Sequence, residues 1–215
     1  MKKLLITAFE PFGGNGRNSA LDTLNELPSH AHGFEIVKAP IPVVYDLCGE
    51  VFAEQAEAIP TQELAAVLCL GLAEGRGSIT PEYAALNVSY ASAADNSGRV
   101  CTAERILPDA PDAYFSTLPV LKIAEAVSRA GVPASPSFSA GTYVCNHLLF
   151  RALHWCRPRG IPCGFLHLPL SYEIAAAEHK AGRTIALPQK ELTAGVLAAV
   201  GCIAEFLSSS DPNNA

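Results

Sequence analysis

The sequence predicts an α/β fold, in which buried strands alternate with helices along one chain. Residues 65–70 (Ala-Ala-Val-Leu-Cys-Leu) are apolar throughout, as in a strand of a parallel sheet that helices cover on both faces. Strand-like runs, glycine-containing loops and helical segments follow one another in the order typical of strand–helix–strand units. With 215 residues, 49% of them hydrophobic, the chain is long enough for one domain with a substantial core.

In the first part of the chain, each predicted strand is followed by a turn signal or by a helix. Residues 3–9 form a buried strand that ends at Pro11 and the glycines after it, and a helix follows over 19–27. A second strand covers 34–44 and leads into a helix over 45–59. After the apolar strand at 65–70, residues 84–90 form another strand-like run.

The second part of the chain begins with a less regular segment. Residues 101–119 are rich in proline, aspartate and alanine, which predicts an irregular connection with at most one short strand. A helix over 120–130 ends at Gly131, and a strand over 137–139 leads into a helix that Pro158 and Gly160 end. Residues 163–169 are a short buried strand. The last helix covers 189–207, so we expect one domain over 1–207 and a disordered polar tail over 208–215.

Charge and composition argue against several classes of partner. The formal net charge is −6, from 15 basic and 21 acidic residues without a basic block, so we expect no nucleic-acid or anionic membrane partner. The apolar run after Lys2 and Lys3 is too short for a signal peptide, and no run predicts a membrane span. Seven cysteines, an odd number without regular spacing, indicate reduced thiols in the cytoplasm.

Cys145 is the candidate reactive residue, in the segment Ser139-Ala-Gly-Thr-Tyr-Val-Cys-Asn-His147. The apolar residues that follow recur at helical spacing, which places Cys145 at or near a helix start. Backbone N–H groups and the helix dipole favour negative charge there, so a thiolate nucleophile is one interpretation. A buried packing cysteine is the other, and for a single cysteine it is the more common one.

A thiol nucleophile needs a base, and His167 is the histidine placed best for that role. It interrupts an apolar strand near its carboxyl end, where active crevices of open α/β sheets lie; a buried structural histidine is the alternative. His147 lies two residues from Cys145 and therefore points to a different helix face, and His154 lies more than two turns away. Glu82, at a loop-to-strand boundary amid apolar residues, is the candidate for the group that orients the base, with a solvated surface glutamate as the alternative.

The spacing of glycines, cysteines and histidines does not support a nucleotide or metal site. Gly14-Asn-Gly16 lacks the third glycine of a dinucleotide motif, and no Gly-Lys-Ser/Thr is present to hold phosphates. Cys163 and His167 have ligand chemistry but not the paired spacing of a zinc site, so we expect no metal and no cofactor. Phe9 and Phe12 lie in the first strand and the loop after it, where core packing and ligand contact both remain open.

Five segments taken together resemble pyroglutamyl peptidase type I, also called pyrrolidone-carboxylate peptidase. They are, in order, Phe9-Glu-Pro-Phe-Gly-Gly14, Gly71-Leu-Ala-Glu-Gly-Arg76, Ile79-Thr-Pro-Glu82, the segment 139–147 around Cys145, and Phe165-Leu-His-Leu-Pro169. The resemblance implies a cytoplasmic cysteine peptidase that removes N-terminal pyroglutamate from peptides, without cofactor or metal. It also implies a single-domain α/β/α sandwich around a mixed, largely parallel sheet, similar to phosphorylase/peptidyl-hydrolase-like folds, and assembly as a homotetramer.

The resemblance further implies roles for seven residues of this chain. Cys145 would be the nucleophile, His167 the general base and then acid, and Glu82 the group that orients the imidazole. Four residues would form the pocket for the lactam ring: Phe9, Phe12 and Tyr143 as its aromatic walls, and Asn18 beside them. An apolar slot suits the uncharged lactam, because it excludes a charged group that would find no partner there.

Two departures from the family pattern leave alternatives open. Leu72 and Glu74 lie in a loop that commonly reads Gly-Gln-Ala-Gly-Gly-Arg, so the contacts of the glutamine are lost. Ser92 stands where the family often has an arginine near the oxyanion site, and Arg99 is a candidate substitute. Ser92 therefore leaves open a non-catalytic homologue that binds pyroglutamate or peptides. A nucleoside phosphorylase-like enzyme, which shares the general architecture, is a less favoured alternative.

Overall fold

A six-stranded sheet forms the centre of the molecule in the computed structural model, which describes residues 1–178 and 185–209. In chain order the strands and helices are β1 (Lys2–Phe9), α1 (Ser19–Glu26), β2 (His30–Ala31), β3 (Phe34–Ile41), α2 (Tyr45–Glu57), β4 (Leu64–Leu72), β5 (Thr80–Pro81), β6 (Ala84–Leu86), β7 (Ser89–Tyr90), β8 (Thr102–Glu104), β9 (Ala113–Phe115), α3 (Val120–Arg129), α4 (Val144–Cys156), β10 (Cys163–Leu168), β11 (Leu170–Ser171), α5 (Tyr172–Ala177), β12 (Ala186–Leu187) and α6 (Gln189–Ser209).

The strand order in the central sheet is β2-β3-β1-β4-β10-β5. The four inner strands run parallel, with Leu4 of β1 opposite Ile36 of β3 and Ala66 of β4. The edge strands β2 and β5 run antiparallel to their neighbours. The sheet is therefore mixed and largely parallel, as predicted, and its inner strands are the longest strands among the described residues.

Helices cover both faces of this sheet, because successive side chains of the inner strands point to opposite sides. Leu5 of β1 packs on the face covered by α2 and α4, whereas Leu4 and Ile6 pack on the face covered by α1, α3 and α6. These two buried clusters form the two cores of an α/β/α sandwich. The predicted architecture is therefore confirmed.

Helix α6 is long and apolar enough, by length and composition, to cross a membrane, with a mean hydropathy of 1.7. Core helices of globular proteins meet the same criterion. One face of α6 packs against α1 and α3 and buries Leu192, Val196 and Ile203. The helix therefore lies where a core helix lies in an α/β/α sandwich.

Three of the predicted strand assignments were wrong. Residues 84–90 do not form one strand but divide into β6 and β7, because buried Asn87 between them turns its side chain to residues 106–111. Residues 101–119 contain two short strands, β8 and β9, which pair with β7 and β6. Residues 137–139 form no strand, and only Ser137 bridges, to Glu82, before Gly141 turns the chain with φ of 78°.

The start of α4 agrees with the prediction, whereas the end of α6 differs from it. Helix α4 begins at Val144, one residue before Cys145, so the cysteine lies in its first turn. Helix α6 continues to Ser209, so residues 208 and 209 are helical rather than part of a disordered tail. The rest of that predicted tail, residues 210–215, lies outside the described residues.

Candidate active site

The candidate residues meet at the carboxyl ends of β4 and β10. His167 is the next-to-last residue of β10 and lies opposite Gly71 of β4. On its other side it lies opposite Thr80 of β5, and Glu82 is the first residue after that edge strand. Strand pairing thus brings Glu82 beside His167, although 85 positions separate them in the sequence.

Gly71 makes room for the cysteine at this end of the sheet. A Cβ atom placed on Gly71 would lie 3.2 Å from Cys145 Sγ and 2.6 Å from Cζ of Phe165. Because Gly71 is also the register partner of His167, the thiol reaches the strand end that carries the imidazole. Cys145 as a residue is only partly buried, at the start of α4.

His167 and Glu82 form a buried hydrogen-bonded pair. His167 Nδ1 lies 2.6 Å from Glu82 Oε1, and the side chains are 6% and 0% exposed. A carboxylate only accepts hydrogen bonds, so Nδ1 carries the proton and donates it. The lone pair of the neutral imidazole is therefore on Nε2, which is the arrangement that a general base needs.

Arg76 joins this pair, and the sequence analysis assigned it no role. Its Nη1 donates to Glu82 Oε1 at 2.6 Å and also to the hydroxyl of Thr80. The side chain is 34% exposed and lies in the loop after β4, where Gly75 has a φ of 94°. An arginine six residues before the candidate acid, in a glycine loop at a strand's carboxyl end, was the signal that could have pointed to it.

Opposing effects determine the charge states of the Glu82–His167 pair. Burial alone would raise the pKa of Glu82, but hydrogen bonds and charge from His167, with Ser137 and Arg76, hold that pKa below its usual value. Burial lowers the pKa of His167, and the nearby Arg76 cation lowers it further, against the opposing effect of Glu82. The resting pair at neutral pH is therefore a carboxylate and a neutral imidazole.

The thiol differs from the thiolate that the helix start suggested. Burial raises the pKa of Cys145 to about 12, and the Glu82 carboxylate adds to the rise, whereas Arg76 and a backbone hydrogen bond oppose it. Cys145 is therefore a neutral thiol at rest. Its proton must leave as the sulfur attacks, which requires a base that is neutral at the same pH.

The four predicted pocket residues lie in two different settings. Phe9 is buried in the core cluster on the α2/α4 face, and Phe12, Tyr143 and Cys145 pack against that cluster. The rings of Phe12 and Tyr143 lie 6.3 Å apart. Asn18 caps α1 by accepting from Ala20 N and donates to Glu10 O, so its side chain holds the loop that carries Phe12. Contact of these residues with a ligand stays a prediction.

Ser92 is exposed, in a loop that crosses over Tyr143. The Tyr143 hydroxyl donates to Ala94 O at 2.9 Å, and Asp95 accepts from Tyr45 N at the start of α2. Arg99, the candidate substitute for the missing arginine, is ion-paired with Asp46 and with Glu104. The cation that acts on the Cys145 thiol is instead Arg76.

The other histidines near the cysteine have separate partners. His147 Nδ1 lies 2.8 Å from the Ser89 hydroxyl, and His154 Nδ1 lies 2.8 Å from the Tyr114 hydroxyl. Both rings are therefore engaged with hydroxyl groups away from the Glu82–His167 pair. Within residues 1–178 and 185–209, no group of three histidine, cysteine or acidic side chains is arranged to hold a metal ion.

The chain is similar to known peptidases over nearly its whole length. The chain matches the pyroglutamyl peptidase family over residues 2–206. A pyrrolidone-carboxylate peptidase of Streptococcus suis is 40% identical over 212 residues, covering 97% of this chain and 95% of the relative. The solved pyrrolidone carboxyl peptidase from Thermococcus litoralis is 30% identical, with a TM-score of 0.89 over 98% of this chain and 97% of that one. Pyroglutamyl peptidase I from Bacillus amyloliquefaciens is also 30% identical, with a TM-score of 0.86 over 95% of this chain and 98% of that one. The chain therefore belongs to the pyroglutamyl peptidase family.

Proposed function

We propose that this chain hydrolyses the peptide bond that follows an N-terminal pyroglutamate, with Cys145 as nucleophile, His167 as general base and acid, and Glu82 as the orienting group. The observation that carries the proposal is the buried His167–Glu82 hydrogen bond of 2.6 Å beside the Cys145 thiol. Nucleophile, base and orienting acid in this order form the arrangement that cysteine peptidases use. Family membership supplies the substrate class.

The charge states describe how the reaction begins. Because Cys145 is a neutral thiol and His167 a neutral imidazole, His167 Nε2 takes the thiol proton as Sγ attacks the carbonyl carbon of pyroglutamate. The imidazolium that forms is stabilised by the Glu82 carboxylate. Backbone N–H groups in the first turn of α4 are available for the negative charge that develops on the carbonyl oxygen.

The peptide is released first, and pyroglutamate is released after hydrolysis of a thioester. His167 returns its proton to the amine nitrogen of the leaving peptide, and the C–N bond breaks to leave a pyroglutamyl thioester on Cys145. His167 then takes a proton from a water molecule, whose oxygen attacks the thioester carbon. The C–S bond breaks, pyroglutamate leaves, and the proton returns to the thiol.

The aromatic residues near Cys145 suit the lactam ring. The half-buried rings of Phe12 and Tyr143 lie 6.3 Å apart, tilted by 44°, next to the cluster that includes buried Phe9. An apolar wall of this kind favours an uncharged ring over the zwitterionic head of an ordinary N-terminal residue, whose ammonium would lose its water without gaining a partner.

Release of a chromogenic amine from pyroglutamyl amide tests the activity. We expect turnover by the wild-type protein, its loss after iodoacetamide treatment, and loss of at least 10³-fold, as an order of magnitude, in Cys145→Ala. Cys202→Ser, on helix α6, is the matched control and should keep full activity. Full activity in Cys145→Ala would contradict the proposed nucleophile. Binding of pyroglutamate without turnover would identify a non-catalytic homologue, and turnover that depends on phosphate would identify a phosphorylase-like enzyme.

We also propose that the chain works in the cytoplasm as a homo-oligomer, a tetramer by family resemblance. Seven free cysteines, including the proposed nucleophile, support a reducing compartment. Tyr83, Phe115 and Phe138 form an exposed aromatic cluster with ring separations of 5.5 and 5.9 Å, which a second copy would cover. Light scattering of the wild type and of Phe115→Ser tests assembly, and cell fractionation tests the compartment. A monomeric wild type would contradict the proposed assembly. Recovery of the protein from a secreted fraction with its thiols as disulfides would contradict the proposed compartment.

A further inference from the structure

Arg76 forms a short ion pair with the proposed catalytic acid, Glu82, which is buried. One nitrogen, Nη1, serves both Glu82 Oε1 at 2.6 Å and the Thr80 hydroxyl. Glu82 is completely buried, whereas the Arg76 side chain is 34% exposed. Arg76 therefore extends from the solvent side of the β4–β5 loop to a carboxylate inside the protein.

Arg76 and His167 donate to the same carboxylate oxygen. Both distances to Glu82 Oε1 are 2.6 Å, and the second oxygen, Oε2, is buried without a hydrogen bond of good geometry among the described residues. The carboxylate charge is thus shared between a permanent cation and a titratable ring. A single buried carboxylate facing only an imidazole would either take up a proton itself or draw one onto the ring.

The charge of Arg76 opposes both of those outcomes. As a cation beside Glu82 it favours the ionised carboxylate, and as a cation near His167 it disfavours the imidazolium. The ionisable groups around His167 are Glu82 after β5, Arg76 after β4 and Cys145 at the start of α4. Among them, Arg76 has the charge that keeps Nε2 of His167 free to accept the thiol proton.

We propose that Arg76 is a positioning residue of the hydrolytic site, which holds Glu82 ionised as the acceptor for Nδ1 and whose positive charge keeps His167 in its base form. This inference rests on the proposed function, because it assigns Arg76 a part in the same reaction. Arg76 does not touch the reacting atoms; it acts through its hydrogen bond to Glu82 and through its charge near His167. A purely structural role, in which Arg76 closes the loop through Thr80, is the competing explanation.

Two substitutions at Arg76 separate charge from loop structure. Arg76→Gln removes the cation, so His167 and Glu82 should both hold protons to higher pH. The acidic limb of kcat/KM should then move upward by about one pH unit or more, with a fall in kcat on the order of 10-fold or more. Arg76→Lys keeps the charge and should retain an acidic limb close to that of the wild type. The proposal would be overturned if the acidic limb of Arg76→Gln coincided with that of the wild type. It would also be overturned if the acidic limb of Arg76→Lys moved as far as that of Arg76→Gln.

Two further variants serve as matched controls. Thr80→Val removes the loop hydrogen bond but leaves the contact with Glu82, so its pH profile should follow the wild type; a shift equal to that of Arg76→Gln would indicate the structural role. Arg105→Gln removes another partly exposed arginine, ion-paired with Asp112 at 2.8 Å and outside the proposed machinery. It should leave both kcat and the acidic limb unchanged.

An NMR titration provides a readout that does not depend on turnover. The imidazole nitrogens of His167, assigned by comparison with His167→Gln, should show protonated Nδ1 in the wild type and a midpoint at higher pH in Arg76→Gln. An unchanged midpoint would overturn the role of Arg76 even if the wild type proved inactive on pyroglutamyl amide. Inactivity of the wild type would contradict only the proposed function, so the two failures are distinguishable.

Discussion

The side chain of Asn146 forms two hydrogen bonds with the backbone of Leu86, as a neighbouring strand would. Its Oδ1 accepts from Leu86 N at 2.8 Å, and its Nδ2 donates to Leu86 O at 2.9 Å and to Val88 O at the same distance. Asn146 follows the proposed nucleophile, and Leu86 lies four residues after Glu82. One buried amide therefore fixes the start of α4 against the segment that carries the acid.

Asn146→Leu should lower both stability and activity. It would leave three partly buried backbone groups of Leu86 and Val88 without these partners, which costs roughly 1–3 kcal/mol in the free energy of unfolding. The misplaced helix start should lower kcat more than it raises KM. Urea unfolding and steady-state kinetics measure both effects. Asn25→Leu, on the exposed side of α1, is the control, and equal losses in the two variants would contradict this role of Asn146.

Gly71→Ala should impair the site directly. The added Cβ would lie 2.6 Å from Cζ of Phe165 and 3.2 Å from Cys145 Sγ, so the ring and the thiol must both move. Such overpacking costs about 1–3 kcal/mol, and the displaced sulfur should lower kcat on the order of 10²-fold. Thermal unfolding and kinetics test this expectation. Gly16→Ala, where a Cβ would meet nothing within 4 Å, should keep wild-type stability.

The sequence alone predicted those strands and helices that a local pattern of apolar residues determines. The apolar runs of β1 and β4 and the helical spacing after Cys145 predicted the central strands and α4. Pairing between short strands distant in the sequence left no such pattern. The split at Asn87 arises because one buried amide binds five backbone groups of residues 106–111, which no periodicity in residues 84–90 reveals.

The same distinction applies to the candidate site. Cys145, His167 and Glu82 were identifiable because they interrupt recognisable elements in the order of a known family. The contact of Arg76 was not, since a glycine loop can direct an arginine to solvent or inward with equal ease. The thiol state of Cys145 depends on burial against the Glu82 carboxylate, which only the folded chain creates.

Acid sensitivity should depend in part on Asp95. Burial would raise its pKa, but hydrogen bonds from Ser97 and from the N–H groups of Tyr45 and Arg99 lower it below the usual value. A lowered native pKa means stability that is present above the unfolded pKa, about 4, and is lost as pH falls through the native pKa. Asp95→Asn should therefore lose stability at pH 7 and show a weaker decline of stability below pH 4.

Urea unfolding of Asp95→Asn and of the wild type at several pH values tests this prediction. Asp109→Asn, at an exposed position, is the control, and an unchanged decline in Asp95→Asn would contradict the prediction.

Glu82→Gln should shift the pH profile in the direction opposite to Arg76→Gln. The carboxylate raises the pKa of His167, so its removal lets burial and Arg76 lower that pKa further. The acidic limb of kcat/KM should move to lower pH. The maximal rate should fall by about 10²–10⁴-fold, because the imidazole loses its orienting acceptor.

Glu104→Gln removes an exposed carboxylate that pairs with Arg99 and should change neither property. If the limb of Glu82→Gln moved upward instead, the carboxylate would not be acting on His167 through charge. Opposite shifts at Glu82 and Arg76 would indicate that one carboxylate oxygen, shared by the two donors, sets the pH at which His167 becomes a base.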